Sequence, residues 1–196
     1  PEKKNALNTE IVSEVGDAVE EIAGDPKIKA LILTGKGEAF SSGGDVDMLL
    51  NDLCLKPSIE IRKILKKFYG RGAVALRSLE IPVIGAINGP ALGAGFDLSL
   101  HCDMRIASEA AKFGSIWVRI NTIPALGGMF LLPRIIGLAR ASEMMLTGEI
   151  IDAQEAYRIG LVNKVVPAEK LQESALELAH CPVSYTHLTL PTKRIV

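Results

Sequence analysis

No charge of one sign dominates the sequence: 22 lysine and arginine residues against 23 aspartate and glutamate leave a net charge of -1. Such a balance gives no general attraction to nucleic acid or anionic lipid. No apolar run approaches the ~20 residues needed to span a bilayer. Neither nucleic acid nor a membrane is therefore expected as a partner. Cysteine is scarce too. Cys54, Cys102 and Cys181 are odd in number, widely spaced and without a CxxC pair. That argues against a disulfide framework or a cysteine metal site, and a reduced cytoplasmic setting (or an organellar matrix) is expected.

Three glycine-loop chemistries are also missing. No lysine follows Gly89, Gly93 or Gly95 at the distance a Walker loop requires. The dinucleotide fingerprint would need glycine where Leu98 stands. A nucleophile elbow needs a serine in the turn, and Gly93-Ala94-Gly95 has none.

What is present is a repeated order of apolar run, glycine turn and helix. Ile11, Val15, Ala18 and Ile22 recur at helical spacing, with Asn8 or Thr9 as cap and Gly24-Asp25-Pro26 as stop. "KALILTG" (29–35) predicts a buried strand, 46–50 the start of a helix, and 58–79 a longer amphipathic helix. "PVIGAI" repeats the strand pattern, and 89–95 repeats the glycine-rich handover to a helix. "MRIAS", "AKF" and "LVNKVV" follow as strands, with helices around 129–136, 139–146, "DAQEAYRIG" and "PAEKLQESALELA". This alternation predicts a single α/β layered domain over 1–180. Residues 181–196 lose the helical period, hold two prolines, and read as a foreign or disordered tail.

Glycine lets a backbone approach a ligand closely, and the first turn of a helix carries unpaired N–H donors. The turns 42–45 and 93–95 could aim two such donors at one oxygen, as in an oxyanion hole, or could be tight turns only.

At these residues the sequence resembles the crotonase (enoyl-CoA hydratase/isomerase) superfamily. The resemblance runs through "PEKKNALN", "LILTGKGEAFSSGGDVDML", "PVIGAINGPALGAGFDLSLHCDMRIAS", "KFG" and "TGEIIDAQEAYRIGLVNKVVP". It implies a crotonase-type spiral of repeated β-β-α units, truncated at both ends relative to the family. It also implies an acyl-CoA substrate, with coenzyme A arriving as part of the thioester, no separate cofactor and no metal. A homotrimer or hexamer is expected for the full-length protein. The N–H groups of Gly44 and Ala94 fall where the family stabilises the thioester oxygen. The Ser42 carbonyl falls where relatives accept from the adenine amino group, and Lys4, Ala6, Asp45 and Val46 where they line the coenzyme A channel. Lys3 joins Lys4 as a candidate for the coenzyme A phosphates.

Water addition in this family generally uses two carboxylates. Asp97 fills the first position, and its neighbours Phe96, Leu98 and Leu100 imply an apolar setting that raises its pKa and suits proton transfer. Trp117 fills the second, where it can neither donate nor accept a proton at neutral pH. In the dehalogenase branch a tryptophan holds this place beside a nucleophilic aspartate eight residues on, and dienoyl-CoA isomerases carry an acid there; Ala125 supplies neither. Trp117 is thus expected as an acyl-pocket wall or as plain core, and Phe113, Leu126 and 129–132 as pocket or core. His101, four residues after Asp97, shares its helical face and could pair with it. Arg105 and Arg134 are expected at the surface or in structural roles. The function expected is that of a hydratase/isomerase-type enzyme with Asp97 as its acid/base. The alternatives are a non-catalytic acyl-CoA-binding relative and a Clp-type serine peptidase.

Overall fold

A computed structural model describes residues 3–45, 56–64, 70–124 and 126–183. Val46, the helix read over 46–50, Ala125 and residues 184–196 lie outside the described residues. The first helix, α1 (Thr9–Gly24), starts as its cap predicts, with the Asn8 side chain accepting from the Ile11 N–H. Its buried stripe is Val12, Gly16 and Val19, one position round from the predicted one. The helix that packs on it meets this face, where a Cβ built on Gly72 would stand 3.4 Å from the Val12 carbonyl oxygen.

Strand β1 (Leu31–Thr34) is half-buried rather than fully buried. Two helical stretches, α2 (Ser58–Ile64) and α3 (Gly70–Ser78), occupy the segment read as one long helix. Then come β2 (Val83–Ile87), β3 (Ala91–Leu92) and α4 (Ala94–Leu100). Strands β4 (Met104–Ser108) and β5 (Lys112–Gly114) precede a 3-10 helix, Ile116–Ile120. The remainder is α5 (Gly128–Ile136), α6 (Leu138–Thr147), β6 (Ile150–Asp152), α7 (Ala153–Arg158), β7 (Lys164–Val166) and α8 (Leu171–Val183). Helix α8 runs past the expected boundary at 180 and takes in Cys181. None of the described helices is long and apolar enough to cross a membrane.

The first sheet is parallel, in the order β1-β2-β4-β7. Every residue of β2 is buried, because helices cover both faces. Ile84 and Ala86 pack with Leu171 and Ala175 of α8, while Ile87 turns to the main core. The second sheet runs β3-β5-β6, with β3 and β5 parallel and β6 antiparallel. Single bridges extend this layer from Ala91 to Ser41, and join Leu7 to Gly44. Phe96 on α4 meets Phe113 on β5 edge to face, their ring centres 6.2 Å apart. This fully buried pair fixes α4 against the second sheet.

Candidate active site

The glycine handover is not direct: β3 intervenes, and its end delivers the chain to α4. Leu92 N–H donates to the Ser41 carbonyl, and the Phe40 and Ser41 N–H groups donate to the Pro90 carbonyl. The two glycine turns are therefore laced together. Gly43 has φ +106°, and a Cβ there would stand 2.8 Å from the Leu92 carbonyl oxygen, so only glycine fits.

Ala94 opens α4, and its N–H has no acceptor within the helix. Gly44 bridges Leu7 through its neighbours: Leu7 N–H donates to Gly43 O, and Asp45 N–H donates to Leu7 O. The Gly44 N–H takes no part in that bridge. Among the described residues, neither the Gly44 nor the Ala94 N–H donates to a protein acceptor. Both residues line one small cleft of about 80 Å³, together with Ser42, Gly43, Trp117 and Arg119.

Asp97 lies one helical turn after Ala94, fully buried. Its Oδ2 accepts from the Leu126 N–H at 3.4 Å, while Oδ1 has no hydrogen-bond partner. Burial pushes the carboxyl up to about 7, against smaller downward pulls from the Leu126 N–H and the Trp117 indole. That indole does not reach hydrogen-bond geometry with the acid, and its Nε1 is itself buried and unpartnered.

His101 does not pair with Asp97, as its place on the helix had suggested. Its Nε2 lies 2.6 Å from the Leu126 carbonyl oxygen. A carbonyl can only accept, so Nε2 carries the proton and Nδ1 is a bare acceptor without a partner. Burial lowers the pKa of His101 and keeps it neutral in this role. Asp97 and His101 thus hold the two polar backbone groups of Leu126. The hydroxyls of Ser41, Ser42 and Ser99 bond backbone carbonyls, so no serine–histidine pair forms among the described residues.

Residues 3–8 run beside 41–45. Ser42 N–H donates to Lys4 O and its hydroxyl donates to Lys3 O, which brings Lys4, Ala6, Ser42 and Asp45 to one edge next to Gly44. Lys3 Nζ bonds Asp45 Oδ2 at 3.0 Å. Lys3 is therefore paired with an acid of this edge, at the surface of the chain.

The sequence profile described as Enoyl-CoA hydratase/isomerase matches residues 1–189. The chain belongs to this family. It is 39% identical over 180 residues to the crotonyl-CoA hydratase of Syntrophomonas wolfei, covering 91% of this chain and 67% of that relative. An enoyl-CoA hydratase structure from Bacillus anthracis superposes with a TM-score of 0.85 at 38% identity, covering 93% of this chain and 69% of that one. A monofunctional enoyl CoA isomerase from M. smegmatis gives 0.79 at 36%, covering 95% and 78%. The fold is crotonase-type, and the chain spans about two thirds of the length of the first two.

Within this crotonase framework Trp117 lines the cleft and belongs to the buried cluster that also holds Leu7, Ala94, Leu98 and Leu126. Phe113 and Leu132 are core, whereas Met129 and Phe130 are exposed. Arg134 lies over the Phe130 ring, 3.4 Å from its centre. Arg105 is buried and donates to the carbonyls of Cys102 and Leu161, which is a structural role. A hollow of about 570 Å³ between the ends of α1 and α3 contains no candidate residue. Two contributors escaped the sequence reading: the Leu126 N–H, a backbone group with no sequence signature, and Gly128. Paired glycines ahead of a helix were the available signal for the second.

Proposed function

We propose that the chain is the catalytic part of an acyl-CoA thioester enzyme of the hydratase/isomerase type. The observation that carries this reading is the cleft shared by the unpaired Gly44 and Ala94 N–H groups, with the buried carboxyl of Asp97 one turn further along α4. The thioester carbonyl oxygen sits between the two N–H donors. Asp97, as carboxylate, takes a proton from the α-carbon, and the C–H electron pair moves onto that oxygen. Each donor aimed at the developing charge stabilises it by about 3–4 kcal/mol. Return of the same proton to another carbon shifts the double bond without gain or loss of atoms. Trp117 exchanges no proton at neutral pH, so a single acid/base suits isomerisation more directly than water addition. Hydration needs a water or a further group to supply the second proton.

Coenzyme A enters as part of the substrate along the edge of Lys4, Ala6, Ser42 and Asp45, with Val46 as its expected continuation; no separate cofactor is invoked. The exposed Ile123, Met129, Phe130, Leu138 and Leu146 support further copies of the chain as partners, a homotrimer or hexamer in the full-length protein. The test is turnover of a panel of 2-enoyl- and 3-enoyl-CoA thioesters by the full-length protein, beside Asp97→Asn. Loss of about 10²–10⁴-fold in the variant is expected of a general base. Equal rates would remove Asp97 from the chemistry. Thioester binding without turnover across the panel would favour the second reading, a non-catalytic acyl-CoA binder, which the tryptophan at position 117 keeps in play.

A further inference from the structure

Four buried side-chain polar atoms lack a partner among the described residues: Asp97 Oδ1, His101 Nδ1, Trp117 Nε1 and Arg140 Nε. Three of them belong to the site around α4. Leaving a polar group buried and unpaired costs about 1–3 kcal/mol, so three at one place require a reason. Their chemistry sorts them. Asp97 Oδ1 accepts, and His101 Nδ1 also accepts, because the proton of that ring is committed to the Leu126 carbonyl. Trp117 Nε1–H is a donor and can be nothing else. With Asp97 ionised the indole N–H has two acceptors to choose from in this set, and the anionic oxygen is the stronger of the two.

We propose that the Trp117 indole N–H is the hydrogen-bond donor that holds the ionised Asp97 carboxylate, making Trp117 a positioning residue for the acid/base. This rests on the reading of Asp97 given above and adds its partner. Trp117 shares a buried cluster with Ala94 and Leu98, the residues three before and one after Asp97 on α4, and with Leu126, whose N–H already serves the other oxygen. The indole pulls the pKa of the carboxyl downward, as a donor facing the anion does. No charge shares that duty. His101 on α4 is neutral; Arg119 lines the cleft from the 3-10 helix; Arg77 of α3 lies 3.7 Å from Asp103; Arg134 of α5 covers Phe130; and β3 offers no titratable group. The residue standing where a hydratase has its second acid thus steadies the first acid as an anion and adds no proton of its own.

Trp117 is the only tryptophan in the sequence, so its fluorescence reports this place alone. In the full-length protein, emission is expected to titrate with a midpoint near 7 and to become flat in Asp97→Asn. The second arm replaces the indole N–H by sulfur through incorporation of benzothienylalanine, which keeps the ring shape. Removal of a donor to the anion is expected to move the acid limb of kcat/KM upward by about one pH unit. That is a tenfold loss at pH 6, little change at pH 9, and KM within about twofold. Emission that ignores ionisation of Asp97, or pH profiles that superimpose, would overturn the pairing while leaving the enzyme assignment standing. If the protein turns over no enoyl thioester, the fluorescence titration still decides the pairing by itself.

Discussion

Gly128 lies directly against the Asp97 carboxyl: a Cβ built on it would stand 2.2 Å from Oδ1 and 2.8 Å from Cγ. Asp97 is fixed from the other side by the Leu126 N–H, so it cannot simply rotate away. Gly128→Ala is therefore expected to displace the carboxyl or the start of α5. Overpacking of this kind costs about 1–3 kcal/mol. Turnover should fall by at least ~10²-fold, since small misplacement of a reacting group costs that much. Urea unfolding beside steady-state kinetics checks both, and a variant with wild-type kcat would show that the contact is slack.

The Asp97 carboxyl also makes a signed prediction about pH. Its ordinary value of 3.8 is raised to about 7 in the fold, so between those values the folded chain holds a proton that the unfolded chain has lost. Stability from this group is fully present below 3.8 and is lost as pH rises through 7. The loss is on the order of 4 kcal/mol. Asp97→Asn, which cannot ionise, is expected to melt above wild type at pH 8 and close to it at pH 4. Calorimetry at the two pH values decides this. The activity runs the opposite way: a base must be ionised, so kcat/KM should rise through an apparent pKa near 7.

Ala94→Pro isolates the N–H donor. Position 94 is the first residue of α4, where proline is tolerated because that N–H has no helical partner. The helix should persist while one donor to the thioester oxygen disappears. A fall of about 10²–10³-fold in kcat is expected, with circular dichroism unchanged. An unaltered rate in a folded variant would remove Ala94 from the site.

How much of this was legible in the sequence depends on whether the determinant was local. The Asn8 cap, the strand 83–87 and the start of a helix at Ala94 all announce themselves through neighbours in the chain. The stripe of α1 did not, because the helix that packs against it lies far along the sequence. Strands β3 and β6 and the 3-10 helix at Ile116–Ile120 are too short for a periodic pattern to show. In the site, the acid could be picked out from its apolar neighbours, and family spacing pointed to Gly44 and Ala94. The engagement of Lys3 by Asp45 depends on residues 42 apart being brought side by side. The hold on Leu126 uses backbone groups, which every residue possesses and no motif marks.

That hold supplies the last prediction. His101 Nε2 donates to the Leu126 carbonyl, and the N–H of the same residue serves Asp97, so losing the first bond loosens the second. His101→Leu leaves the carbonyl buried without a donor, a cost of about 1–3 kcal/mol. It should also raise the apparent pKa of Asp97 further, because the Leu126 N–H lowers that value. Glutamine retains an N–H donor and should recover most of the stability. The ring's own titration gives an independent check. Its folded pKa lies below the ordinary 6.5, so the unfolded chain binds more protons there and stability from this group falls as pH drops below 6.5. His101→Gln should flatten that acid-side loss while keeping the bond to Leu126. A variant that retains the acid slope would show that the imidazole is not the group responsible.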